Sequence, residues 1–368
     1  MTSSEICDLL SLQRKFFLSG KTNSIQTRKN VLKLLYASIK KNEDSICQAL
    51  SSDLGKSPFE AYMCEIGMVL SEIRYMVDHL HSFAKPRNRR TPIIHFPSRS
   101  FTKPEPYGTV LIISPWNYPF LLSIEPLVDA VAAGNTVMLK PSSCAPATSK
   151  VIADIIGKCF TPEYVTLITG GRDDNSNLAS HDFDYIFFTG SQTAGKEIMR
   201  RAAANLTPVT LELGGKSPCI VDKTADIKLA ARRIVFGKFL NCGQTCVAPD
   251  YIYCHSSIKK SLIKNIILEI NRQFGQKPLS NTNYGKIINQ RHYERITNLI
   301  NYNKVVFGGH CEPETHRIEP TILDNVNWHD AVMNEEIFGP LLPILSFEEP
   351  EQVIHTINEH PTPLAMYV

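Results

Sequence analysis

The chain has 368 residues, 43% of them hydrophobic and 20% charged, which is too apolar for a disordered polypeptide and too long for one hydrophobic core. Two substantial domains are expected. Its 39 basic and 36 acidic residues leave a formal net charge of +3, too balanced to predict nucleic-acid binding.

The opening residues, MTSSEICDLLSLQRKFF, have no basic segment followed by an apolar one. From about Ser4 to Ala84 apolar residues recur at helical spacing, as in Val31, Leu34, Leu35 and Ile39, and then Met68, Ile73, Met76, Val77 and Leu80. This predicts a helical opening layer, in which His79 and His81 lie at the surface because alternate residues do not share a helix face. Between Lys85 and Pro106 the composition turns to Pro, Arg and Thr around β-prone pieces such as Ile93–Phe96, an extended excursion. The basic cluster there, Lys85, Arg87, Arg89 and Arg90, reads as a solvated linker or hairpin.

From Tyr107 short buried strands alternate with helices, the pattern of a parallel sheet covered on both faces. GTVLIIS and NTVMLK are strands joined by a helix that Pro119 begins and Gly134 ends. A helix near Ala147–Gly157, the strands YVTLITG and YIFFTG, a helix from about Gln192 to Ala204 and the strand VTLEL complete a doubly wound nucleotide-binding pattern. After Gly214 and Gly215 a second alternating region opens with SPCIV, the helix Asp226–Leu240 and YIYC. The closing LAMYV reads as a strand broken off mid-sheet. Nowhere do about 18 apolar residues run unbroken, so no membrane span is expected within these residues. Ten cysteines without the spacing of a small secreted domain predict free thiols and a cytoplasmic address.

Several residues can carry chemistry. In NCGQTCVAPD, Cys246 follows an apolar helix and a Gly, where nearby N–H groups can favour a thiolate; a buried structural cysteine is the competing reading. Cys242 lies four residues earlier, but no second pair or spaced histidines complete a zinc site. Glu212 ends an apolar strand before two glycines, an edge that can desolvate a carboxylate and raise it toward a general base, although strand-end glutamates usually face solvent. In SPWNYP, Asn117 beside Trp116 follows a parallel strand and can donate to an oxyanion or cap the next helix. Lys140 ends a strand and reaches a ribose, a phosphate or only water. Gly190, Ser191 and Gly195 in FTGSQTAGKEI mark a strand-to-helix turn suited to a phosphate, without the G-x-G-x-x-G spacing.

SPWNYP, LKPSS, FTGSQTAG, LELGGKSP, GQTCVAPD and EEIFGP stand in the order found in the aldehyde dehydrogenase superfamily, and the chain most closely resembles its class 3 branch over essentially its whole length. The resemblance implies two doubly wound parallel-sheet α/β domains with a small β oligomerisation arm. Residues 1–84 and 105–213 would form the dinucleotide-binding domain, 85–104 the arm and 214–368 a catalytic domain incomplete at its C-terminus. It implies Cys246 as nucleophile, Glu212 as base and Asn117 as the side-chain half of an oxyanion hole. Lys140 would contact the adenosine ribose, and Gly190, Ser191 and Gly195 the pyrophosphate. Trp116, Ser143 and Leu213 would line the cofactor site, while Glu336 holds the nicotinamide ribose with Phe338 beside it.

The implied activity is oxidation of an aldehyde to a carboxylic acid with NAD or NADP, through a cysteine thiohemiacetal and thioester, in a homodimer. Ser143 stands where many relatives carry a glutamate; losing that carboxylate removes a barrier to the 2′-phosphate of NADP. Family members continue past this point with further strands and, in some, a membrane-anchoring tail. Alternatives are transfer of the acyl group to coenzyme A, and a non-catalytic nucleotide-binding role.

Overall fold

The helical spacing of the first eighty residues folds as expected, with its inward stripe displaced. A computed structural model describes residues 2–368, apart from the side chains of Arg172 and Asp173. In the helix Ile25–Lys41 the buried side chains are Arg28, Leu32, Leu35 and Ile39, while Leu34 is exposed. In Gly67–Phe83 they are Val69, Leu70, Ile73 and Leu80, with Met68 outside. His79 and His81 are exposed.

Two compact units divide the chain: Met1–Leu50 with Glu60–Glu212, and Ser51–Phe59 with Leu213–Val368. Residues 51–59 and Leu213, expected in the first domain, belong to the second unit. The reassignment has a local cause, because the Lys286 N–H donates to the Leu54 carbonyl at 2.9 Å.

In the first unit, the Pro- and Arg-rich excursion is a hairpin of β1 (Arg87–Arg89) and β2 (Ser100–Thr102), antiparallel, with Arg87 opposite Thr102. Ile93–Phe96 is not extended: Ile93–His95 forms a 3-10 turn between the two strands, and Ile93, Ile94 and Phe96 stand in solvent. Residues 85–104 belong to the first unit.

The main sheet of this unit comprises β3 (Thr109–Ile113), β4 (Thr136–Lys140), β5 (Val165–Leu167), β6 (Tyr185–Gly190) and β7 (Val209–Leu213), in the order β5-β4-β3-β6-β7. β3 runs parallel to β4 and β6, and β4 parallel to β5. Every residue of β3 and β4 is buried, as strands with helices on both faces require. The helices Leu121–Ala133 and Pro146–Cys159 supply the crossovers to β4 and β5, the first ending at Gly134 with φ 101°. The chain builds outward from β3 to β5, then returns to β3's other side with β6. That reversal falls between β3 and β6, and doubly wound folds bind ligands at the carboxyl ends of the strands at such a point.

The second unit holds β8 (Pro218–Val221), β9 (Tyr251–His255), β10 (Val305–Phe307), β13 (Thr321–Leu323) and β14 (Leu341–Phe347) in one sheet, with β11 (Cys311–Glu312) and β12 (Arg317–Ile318) as a separate antiparallel pair. The sheet order is β10-β13-β14-β9-β8; all neighbours are parallel except the edge strand β10. One face packs Ile252 and Ile344 with Ile234, Val235, Leu262 and Ile266 from the helices Ile227–Phe239 and Lys259–Phe274. The other carries Tyr251, Tyr284, Ile296 and Leu345. Of LAMYV, Tyr367 bridges β8: its N–H donates to Pro218 at 3.0 Å, and its carbonyl accepts from Ile220 at 2.8 Å.

Candidate active site

In the first unit, β3 hands the chain directly to the SPWN segment. The Ser114 N–H continues the sheet pairing onto the Lys140 carbonyl at 3.1 Å, and the Ser114 and Ser123 hydroxyls share a hydrogen bond of 2.6 Å. Asn117 follows, 3% exposed. Capping of the next helix falls to Glu65, a fully buried carboxylate that accepts the N–H groups of Phe120 and Leu121 at 2.8 and 3.1 Å. Sequence reasoning missed Glu65 because its partners lie more than fifty residues away.

Lys140, at the end of β4, is not a solvated strand end: it is 2% exposed, and its ammonium donates to the Pro141 carbonyl at 3.1 Å. Burial lowers its pKa, with the Asp174 charge opposing. Ser143 is exposed in the loop beyond. β6 ends at Gly190, and Ser191 caps the helix Gln192–Ala202, accepting the Ala194 N–H through its hydroxyl and the Gly195 N–H at 2.9 Å through its carbonyl. Lys140, Trp116, Asn117, Gly190 and Ser191 thus come together along the carboxyl edge at the reversal of strand order. A buried ammonium and the N–H groups of a capped helix terminus are the donors that a dinucleotide's ribose and pyrophosphate need, so the edge fits such a cofactor. Glu212, on β7, is exposed, which corrects the expectation of a partly desolvated carboxylate.

The longer segment of the second unit starts at Leu213, part-buried at the end of β7. Asp226 accepts the Lys228 and Leu229 N–H groups at 3.0 and 3.1 Å and so starts the helix Ile227–Phe239 that leads toward Cys246. The turn after it carries left-handed backbone at Asn241, Cys242 and Gly243 (φ 51°, 53° and 75°). A Cβ at residue 243 would lie 2.3 Å from the Gly339 carbonyl, so only glycine fits. Buried Gln244 braces the turn, donating to Asn241 and Lys286 carbonyls at 3.0 and 3.1 Å and accepting the Ile288 N–H at 3.0 Å. Cys242 is thereby buried beside Tyr284, whereas Cys246 emerges half-exposed. Asn241 and Gln244 are positioning residues that local composition did not single out.

Residues 5–368 match the model of the Aldehyde dehydrogenase family. The chain belongs to the aldehyde dehydrogenase family. It is 47% identical over 357 residues to the 4,4'-diaponeurosporen-aldehyde dehydrogenase of Staphylococcus aureus, covering 96% of this chain and 78% of that protein. It is 42% identical over 366 residues to the "Aldehyde dehydrogenase, dimeric NADP-preferring" of Canis lupus familiaris, covering 99% and 81%. The solved substrate-bound state of Staphylococcus aureus AldH superposes with a TM-score of 0.97 at 46% identity, over 98% of this chain and 80% of that one. Relatives in family 3, such as member A2 of Rattus norvegicus at 40% identity (96% and 73% covered), place it in the class 3 branch. The aldehyde dehydrogenase activity is oxidation of an aldehyde with NAD or NADP.

In this aldehyde dehydrogenase, Glu336 follows the short helix Ala331–Asn334 and is part-buried. Burial and the neighbouring Asp250 charge push its pKa up to about 7, against the Gly215 N–H bond, Lys238 and Arg295. A Cβ at Gly214 would lie 2.1 Å from the Glu336 carboxylate, so this glycine leaves room for the acid. Phe338 is part-buried and holds φ 48°. Leu213, Cys246, Glu336 and Phe338 belong to the second unit; Trp116, Asn117, Lys140, Ser143, Gly190, Ser191, Gly195 and Glu212 belong to the first.

Proposed function

We propose that this enzyme oxidises its aldehyde through Cys246, with Asn117 stabilising the oxyanion and Glu212 activating water. The Cys246 thiolate attacks the carbonyl carbon, forming a C–S bond while the π pair moves to oxygen. The Asn117 amide and the Cys246 main-chain N–H donate to that oxygen, an effect worth about 3 kcal/mol per donor. A bound dinucleotide would supply the hydride acceptor: the carbon's C–H bond breaks as the oxyanion's pair re-forms the carbonyl, leaving a thioester on Cys246. Glu212 then takes a proton from water, which adds to the thioester carbon; the C–S bond breaks, and the acid leaves with the thiolate restored. The observation that carries this reading is the separation of two cysteines in one braced turn, Cys242 buried and Cys246 half-exposed.

Trp116, Lys140, Ser143, Gly190, Ser191, Gly195, Leu213, Glu336 and Phe338 are the residues proposed to hold the cofactor. Exposed Ser143 places no carboxylate against a 2′-phosphate, so NADP should serve at least as a secondary cofactor. The hairpin with bare Ile93, Ile94 and Phe96 supports a homodimer, and ten free cysteines support a cytoplasmic setting. The first aldehyde to try is the one for which the Staphylococcus aureus relative is named.

Cys246→Ala should lose aldehyde oxidation by about a thousandfold or more while still binding dinucleotide. Oxidation at the parent rate would end the assignment of the nucleophile. An acyl-CoA product in place of the acid would end the assignment of water as acceptor.

A further inference from the structure

Three sequence motifs with separate expected roles meet around the segment that carries Glu336, all within the second unit. Lys216, from LELGGKSP, donates through Nζ to Asp250 Oδ2 at 2.6 Å and to the main-chain carbonyls of Val332 at 2.8 Å and Glu335 at 3.0 Å. Asp250, at the end of GQTCVAPD, uses Oδ1 to accept the Ile337 N–H at 3.0 Å. From the outer side Arg295 donates to the Glu335 carboxylate at 2.8 Å and to the carbonyls of Glu336 and Ile337 at 3.4 and 2.6 Å. The main chain on both sides of Glu336 is thus held by two cations and one anion.

Asp250 is itself fixed. It is buried, its N–H donates to the Ser217 carbonyl at 2.8 Å, and a second ammonium, Lys238 at 0% exposure, lies 3.9 Å from Oδ1. Both carboxylate oxygens of Asp250 are therefore engaged, Oδ2 by Lys216 and Oδ1 by the Ile337 N–H. Asp250 stands four residues after Cys246, so the same carboxylate that ends the nucleophile's loop also fixes the Glu336 loop.

We propose that Lys216, Asp250 and Arg295 are positioning residues that set Glu336 for the nicotinamide half of the dinucleotide; this rests on the reading that Glu336 holds the nicotinamide ribose. They act through the loop's main chain. Their loss should therefore weaken recognition of that half of the cofactor and leave the adenosine half alone.

The test is equilibrium binding of NAD+ and of ADP, which lacks the nicotinamide half, measured by calorimetry on the full chain and its Lys216→Met, Arg295→Met and Glu336→Gln variants. Each variant should bind NAD+ about tenfold or more weakly, since small misplacements at such sites have large effects. ADP affinity should stay within about twofold, and combining Arg295→Met with Glu336→Gln should add nothing to Glu336→Gln alone. Parent-like NAD+ affinity in the clamp variants, equal losses for NAD+ and ADP, or additive losses in the double variant would each overturn the clamp. Should Glu336→Gln itself bind NAD+ like the parent, the ribose reading falls instead, and the clamp with it. If Lys216→Met does not fold, Arg295→Met, whose side chain is 27% exposed, carries the comparison.

Discussion

In its proposed role Glu336 would accept hydrogen bonds from two ribose hydroxyls best when ionised, yet burial beside Asp250 holds its pKa at about 7. Cofactor affinity should therefore rise as pH climbs from about 6 to 8, and Glu336→Gln should flatten that rise; binding titrations across this range decide it. The same group affects stability with the opposite slope. Its folded value lies above the ordinary 4.5, so the folded chain keeps a proton that the unfolded chain releases between 4.5 and about 7. Its favourable contribution is present at low pH and is lost as pH rises through that window. Relative to the parent, Glu336→Gln should gain about 3 kcal/mol from pH 4.5 to 8, read by urea unfolding at several pH values. A constant difference would contradict it. At this scale the motifs singled out Cys246 and Glu336 as candidates, because each sits in a short distinctive string. Burial was not legible: Lys140 lies inside and Glu212 outside, which depends on neighbours brought from elsewhere in the chain.

Elements were legible where one pattern served one environment. The apolar runs Val110–Ile113 of β3 and Val137–Leu139 of β4 are covered on both faces, so their strand character showed in composition alone. The hairpin of β1 and β2 offered no such pattern: its strands are short and exposed, and apart from Phe101 its apolar residues sit between them. Helix ends were readable through their caps. Asp226 holds two N–H groups of the helix leading to Cys246, and Asp226→Ala should cost about 1 kcal/mol, seen as a lowered thermal midpoint. An unchanged midpoint would show that this cap contributes nothing.

Across the whole chain, alternating strands and helices made two parallel-sheet units legible, while the transfer of Ser51–Phe59 to the second unit depends on a hydrogen bond between Leu54 and Lys286 that no local signal announces. The proposed dimer belongs to this scale. Ile94 is 84% exposed on the hairpin's turn, beside bare Ile93 and Phe96. Ile94→Asp should shift sedimentation from dimer to monomer without lowering the monomer's unfolding midpoint in urea, since the side chain supports no core. A parent that sediments as a monomer at every concentration would rule out this role for the arm.

Gly214 and Glu336, distant in the chain, occupy nearly the same space, for a methyl group at 214 would overlap the acid's oxygen. Because that oxygen ends a flexible side chain, Gly214→Ala should fold with a stability change below about 1 kcal/mol yet push the acid aside. The residues at 214 and 336 are thus sterically coupled. A library randomised at both and sorted for dinucleotide capture should return alanine at 214 only alongside a shorter residue at 336, and frequent recovery of alanine with glutamate would refute that linkage.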